Sequence, residues 1–208
     1  MNPRPVIPVA HDFSCPWCWV GWHQAKQMQE EFGVEIEWRG YELFPEWMAF
    51  PPSSPPKSDD VKSDRPVTPT KMQLAYAAQG MNPPTNKFSG YIRTHKAHEL
   101  VELAKTVDKV DAMVERLYRA LWEEGKNIDD TETLVAEAVA VGLAEADARA
   151  VIEEFPFKNN IVEYDDDAYA SGVYNVPTFF IGGERYAEQP YRVLRPALAQ
   201  AIQAPEYA

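Results

Sequence analysis

The chain holds two cysteines, Cys15 and Cys18, and they stand together in the stretch Asp12-Phe13-Ser14-Cys15-Pro16-Trp17-Cys18. Two thiols at C-x-x-C spacing, where a strand passes into a helix, read first as a redox pair. If a helix starts near Cys15, its first-turn N–H groups have no intrahelical partners and point toward the sulfur. The helix dipole adds partial positive charge at the same place, and both effects favour a thiolate. Pro16 suits the first helical position, where a missing N–H costs nothing. Cys15 is then the exposed nucleophile. Cys18, one turn further in, is the resolving thiol that closes an internal disulfide. A zinc site is the rival, but no second cysteine pair exists and the ligands would have to be His11 and His23.

The flanking residues supply the elements such a motif needs. Val6 to Ala10 is a short apolar run that fits a buried central strand. Pro16 to Phe32 has helical periodicity through Trp17, Val20, Gln24, Gln27 and Met28, with Gly33 as its stop. Val34 to Tyr41 alternates apolar and polar residues, the pattern of a half-buried strand. Strand, helix, strand makes a βαβ unit, so the two strands should be parallel with a right-handed crossover.

At 208 residues, the chain can form one large domain or a domain carrying an insertion. A 45% hydrophobic share and 25% charged share are ordinary for a globular protein. The formal net charge of -12 argues against a nucleic-acid groove and against an anionic membrane surface. No run is apolar and long enough to span a membrane, and Met1-Asn2-Pro3-Arg4-Pro5 does not read as a signal peptide. A cytoplasmic location is expected, and there a cysteine pair is more often catalytic than structural.

Between Phe44 and Thr70, seven prolines break any regular element. This stretch reads as an ordered connector or a substrate-facing flap, with Trp47, Met48 and Phe50 available to pack over the site. Helices are expected over Lys71–Gln79, from Ser89 or Gly90 to Lys105, over Val110–Trp122, from Asp129 or Asp130 to a stop at Gly142, and over Glu145–Phe155. His95 and His98 share one of them at i, i+3, without a Glu-x-x-His pattern, so no metal role is expected. Lys158 to Ser171 also reads as helix. Thr178 to Ile181 is a β-prone strand, Gly182-Gly183 a hairpin turn, Arg185 to Ala187 the return, and Pro190 to Ile202 a closing helix. Pro177 heads a strand that ought to be central, where proline is normally excluded. A cis peptide there would turn the Val176 carbonyl toward the cleft; an ordinary trans proline is the alternative.

Together, Cys-Pro-Trp-Cys at the first helix of a βαβ unit and the later Gly-Val-x-x-Val-Pro-Thr-Phe-Phe-Ile with its hairpin resemble the DsbA family of thiol oxidoreductases. The start Asp12-Phe13-Ser14-Cys15-Pro16-Trp17-Cys18 and the long helical insert look most like its FrnE-type, often cytosolic branch. The resemblance implies an α/β protein: a thioredoxin fold with a large inserted α-helical domain. Residues 1–62 and 158–208 would form the thioredoxin-like part and residues 63–157 the insert. It also implies that Cys15 is the nucleophile and Cys18 its resolving partner, and that Pro177 is a cis-proline facing them beside Val176, whose backbone holds a substrate peptide. Pro16, Trp17, Val176 and Pro177 form the expected substrate-contacting set. Well-known periplasmic members have histidine where Trp17 stands, so their strong oxidising power should not carry over. Asp12 is the nearest candidate for a proton relay.

The expected function is thiol–disulfide exchange with protein or peptide thiols and disulfides, at moderate potential, by a monomer or homodimer. No cofactor is expected beyond the Cys15–Cys18 pair, with glutathione as a candidate co-substrate and no metal. Two alternatives stand beside it. One is a glutathione-dependent isomerase or transferase of the hydroxychromene-carboxylate or kappa type, whose members usually carry serine at the first motif position. The other is a binding or chaperone module in which the disulfide is only structural.

Overall fold

A computed structural model describes residues 4–51, 68–84, 91–163, 170 and 172–203. The fold is mixed α/β, a five-stranded sheet with seven helices among the described residues. Strand β1 (Val6–His11), helix α1 (Pro16–Phe32) and strand β2 (Glu35–Glu42) open it. The two strands pair in parallel, Val9 opposite Trp38, as a βαβ unit requires. Gly33 stops α1 at φ 66°, a left-handed position open to glycine without a Cβ penalty.

Helix α2 (Lys71–Ala78) is nucleated by a capping box: the Thr70 side chain accepts from the Gln73 N–H, and the Gln73 side chain from the Thr70 N–H. Helices α3 (His95–Lys105), α4 (Val110–Trp122), α5 (Thr131–Ala140) and α6 (Glu145–Glu154) follow and pack on one another. The chain returns through β3 (Val162–Glu163), β4 (Thr178–Ile181), β5 (Glu184–Ala187) and α7 (Tyr191–Ala201). Strand order is β3-β2-β1-β4-β5, with β1 at the centre, β3 parallel to β2, and β4 and β5 antiparallel. This is the expected thioredoxin arrangement with helices inserted after β2.

The core runs through both parts without a break. Val9, Phe13, Met28, Leu100, Leu117 and Leu198 are fully buried within it; each such side chain contributes about 1.5–3 kcal/mol. Trp38 Nε1–H donates to Asp111 at 2.8 Å and Lys26 pairs with Glu115 at 2.8 Å, so α4 is tied to β2 and α1.

Two expectations change. Lys158 to Ser171 is not one helix: Lys158–Asn160 form a single 3-10 turn, and Val162–Glu163 pair with Tyr41–Glu42 at the sheet edge. β-branched Val162 gains a strand partner there, which local helical periodicity cannot register. Residues 164–169 and 171 lie outside the described part. Helix α3 starts at His95, later than Ser89 or Gly90, which also lie outside it. Residues 91–94 are irregular because tertiary bonds hold them: Arg93 donates to the carbonyls of Phe44, Pro45 and Met48. The Pro-rich flap, for residues 52–67, and the domain boundary set at residues 62 and 63 also fall outside the described residues.

Candidate active site

Strand β1 delivers the chain to Asp12, whose side chain then folds the motif loop. Its Oδ1 accepts from the Ser14 N–H at 2.9 Å and its Oδ2 from the Leu43 N–H at 2.7 Å. One carboxylate thus joins the end of β1, the end of β2 and the start of α1. Cys15 is the residue capping α1, in extended backbone, with Pro16 in the first turn. No side chain caps this end, so the first-turn amides stay oriented toward the Cys15 end.

Both cysteines are free thiols. Cys15 Sγ–H donates to the Val176 carbonyl at 3.5 Å, and the Val176–Pro177 peptide is cis. Cys18 lies one turn deeper, where the Asp12 N–H donates to its sulfur at 3.4 Å. Burial pushes the Cys18 thiol well up, and its hydrogen bond with Cys15 adds to this. Burial likewise pushes the Asp12 carboxyl up to about 6, against the hydrogen bonds from Leu43, Ser14 and Thr94 that pull it down.

The expectation of an exposed Cys15 needs correcting. The residue is only 7% exposed, because Val176, Leu43 and Phe44 close around it, and its sulfur is reached through cavities. The larger, of about 690 Å³, is lined by Ser14, Cys15 and Pro16 with Leu43, Phe44, Tyr76 and others. A second, of about 350 Å³, joins Cys15 to Met48, Asn175 and Val176. Trp17 and Pro177 meet in a third, of about 470 Å³, against α2 and the segment before α7. Cys15, Pro16 and Val176 therefore converge on one side, while Trp17 faces the other side of Pro177.

Sequence reasoning missed the clamp from α4. Tyr118 donates its hydroxyl to the Asp12 carbonyl at 3.4 Å and lies 3.0 Å from His11 Nδ1. Trp122 Nε1–H donates to the Phe13 carbonyl at 2.9 Å. His11 is buried and, chiefly through that burial, drops to about 3, so its imidazole is neutral. Among the described residues, His11 and His23 do not gather with the cysteines into a set of metal ligands. Gly21 was also missed: a Cβ there would sit 2.9 Å from Pro177 Cβ and Cγ, so its bare backbone lets α1 approach the Pro177 loop. A mid-helix glycine looks unremarkable without that long-range neighbour. Of the three flap residues, Met48 lines the Cys15 cavity, Phe50 stacks on Tyr91, and Trp47 is exposed.

The DSBA-like thioredoxin domain family profile matches residues 6–199. An uncharacterized Bacillus subtilis protein, YwbO, is 28% identical over 179 residues, 85% of this chain and 86% of its own length. A probable DsbA oxidoreductase from Streptomyces coelicolor superposes with a TM-score of 0.70 at 25% identity, over 96% of this chain and 92% of its own. The Pseudomonas aeruginosa cytosolic disulfide reductase DsbM, solved with glutathione, gives 0.64 at 17% identity, over 94% and 99%. A 2-hydroxychromene-2-carboxylate isomerase gives 0.69 at 15%, over 98% and 99%, so the fold alone is shared across different chemistries. The chain belongs to the DSBA-like thioredoxin domain family, a group of oxidoreductases.

Proposed function

We propose that this protein is a cytoplasmic thiol–disulfide oxidoreductase of the FrnE-type branch, working through Cys15 and Cys18. The observation that carries the reading is Cys15 Sγ at the capping position of α1, 3.5 Å from the Val176 carbonyl and open to two cavities. In the reducing direction, the Cys15 thiolate attacks a partner disulfide and releases one partner thiolate. Cys18 then attacks the Cys15 sulfur, releases the second thiolate, and leaves the Cys15–Cys18 disulfide. Two electrons have passed to the partner, and an external thiol returns them. The reverse sequence oxidises a dithiol partner.

Cys18 needs a base, since burial keeps its thiol protonated. Asp12 is the proposed relay: at about 6 its carboxyl is ionised at neutral pH yet close enough to working pH to exchange protons. Val176 and Pro177 hold the partner beside Cys15, and Pro16 forms part of the same wall. The serine-type isomerase reading is disfavoured because a cysteine pair, not serine, occupies the motif.

The larger cavity carries the proposal on substrate. Its volume falls in the range of small-ligand pockets, roughly 300–1,000 Å³, and no charged side chain is present among its described lining residues. Leu43, Phe44, Tyr76, Tyr91 and Trp122 suit an apolar group beside the reacting sulfur. Glutathione carries two carboxylates and would find no cationic partner on that wall, so it acts as bulk reductant. With dithiothreitol as electron source, the protein should accelerate reduction of insulin and of a neutral aromatic disulfide. Glutathione disulfide should react slower by about tenfold, the effect of about 1.4 kcal/mol. No acceleration over dithiothreitol alone with any of the three would overturn the function. A preference for glutathione disulfide would overturn the substrate assignment.

A further inference from the structure

At the β3 edge of the sheet, one imidazole stands among three carboxylates. Glu42 ends β2 and Glu163 ends β3, and the two are register partners in the parallel pair. Like charges at such a cross-strand position are destabilising unless something lies between them. His95, the first residue of α3, meets them there: its Nδ1 is 3.0 Å from Glu42 Oε2. Glu99, one turn along α3, is fully buried, with its Oε1 3.5 Å from His95 Nε2. No lysine or arginine pairs with Glu42, Glu99 or Glu163 among the described residues.

Two observations point to a ligand. Glu42 is 2% exposed, and its Oε1 is buried with no hydrogen-bond donor; a buried carboxylate oxygen without a partner costs about 1–3 kcal/mol or more. In addition, His95, Glu42 and Glu163 each offer a ligand atom, and the three atoms lie within 4.8 Å of one another. The surroundings fit the same reading. A metal-bound imidazole typically gives its other ring N–H to a carboxylate, and Glu99 stands at that nitrogen. Glu163 is held from behind by Trp47 Nε1–H, 2.8 Å from its Oε2. Glu99 is held by the Phe157 N–H at 2.9 Å.

We propose that His95, Glu42 and Glu163 bind one divalent transition-metal ion of the zinc class. One imidazole and two carboxylates form a mixed nitrogen–oxygen set that suits zinc, with a fourth position left for water. The ion joins the ends of β2 and β3 to the start of α3, so it fastens a two-residue edge strand to the insert. None of the three ligands is a thiol, and the proposal stands whether or not the redox reading does.

The test uses the Cys15→Ser/Cys18→Ser protein, tag-free and stripped with EDTA, so that thiolates cannot supply the ligands. Titration with Co2+ should show one equivalent bound, with visible ligand-field bands and no sulfur charge-transfer band. Zn2+ should displace it and raise the melting temperature. Glu163→Gln, at a half-buried position, should keep the fold by circular dichroism and weaken Co2+ and Zn2+ binding by at least about tenfold; His95→Gln should do the same. A folded Cys-free protein that binds neither ion would overturn the proposal, as would binding that both substitutions leave unchanged.

Discussion

Cys15→Ser should lower disulfide-exchange turnover on the order of 1,000-fold or more while leaving the protein folded. The loss is large because a hydroxyl supplies neither a thiolate at neutral pH nor a sulfur able to join a disulfide. The fold should hold because serine is a good residue at this position. Cys15 caps α1 and its side chain makes no capping bond, so a serine oxygen can accept from a first-turn amide and add up to about 1 kcal/mol. Activity and melting temperature are therefore expected to move independently. Steady-state insulin reduction and thermal denaturation, run on the same preparation, make the comparison. Turnover within about tenfold of wild type would show that the sulfur at the head of α1 is not the nucleophile.

Between pH 7 and pH 5 the folding free energy should fall by about 4 kcal/mol, an acid sensitivity built into the wall beneath the motif. His11 and His98 are both fully buried, ring against ring with centroids 5.2 Å apart. Burial holds His11 at about 3, with a smaller push from Lys105. It holds His98 well below its usual range, helped by His11, His95 and Lys105. Both are neutral in the folded protein at pH 5, whereas the unfolded chain takes up protons below about 6.5. Stability is thus full above 6.5 and is lost as pH falls, at about 2 kcal/mol per buried imidazole by pH 5. His23, also pushed down chiefly by burial, to about 4, acts in the same direction.

Three groups oppose this. Asp12 is raised to about 6, so the folded state gains a proton first and is stabilised as pH falls through that value. In the metal-free protein His95, raised mainly by its bond to Glu42, and Glu99, raised chiefly by burial, likewise favour the folded state on acidification. They offset part of the loss but not all of it. Guanidinium titrations at the two pH values give the difference directly, and His98→Phe should remove about half of the slope. Equal or greater stability at pH 5 would mean that these imidazoles are not buried as neutral groups.

How much of this was legible in the residues differs from element to element. The βαβ start, the stop at Gly33, the hairpin at Gly182-Gly183 and the amphipathic helices α4 to α7 follow local rules, and the chain obeys them. Strand β3 was missed because two residues cannot display a period; only the free edge of β2 makes Val162 and Glu163 a strand. Helix α3 begins late because Arg93 is held by carbonyls more than forty positions upstream. At the site, the cysteines, Pro16 and Asp12 announce themselves by type and spacing. Tyr118, Trp122 and Gly21 do not, since their meaning comes from Asp12, Phe13 and Pro177 lying across the fold. Glu42 looks like one more polar residue of an alternating strand, and His95 like a helix-surface histidine. Their neighbourhood exists only once β2, β3 and α3 are assembled.

The most direct measurement is the thiol state of Cys15 and Cys18 across a series of glutathione redox buffers, with quenched alkylation read by mass. A reversible two-electron transition is expected, in which both thiols disappear together and return together, at a moderate potential. Thiols that stay alkylatable at every ratio, or that form only separate adducts with glutathione and never a bond to each other, would contradict it.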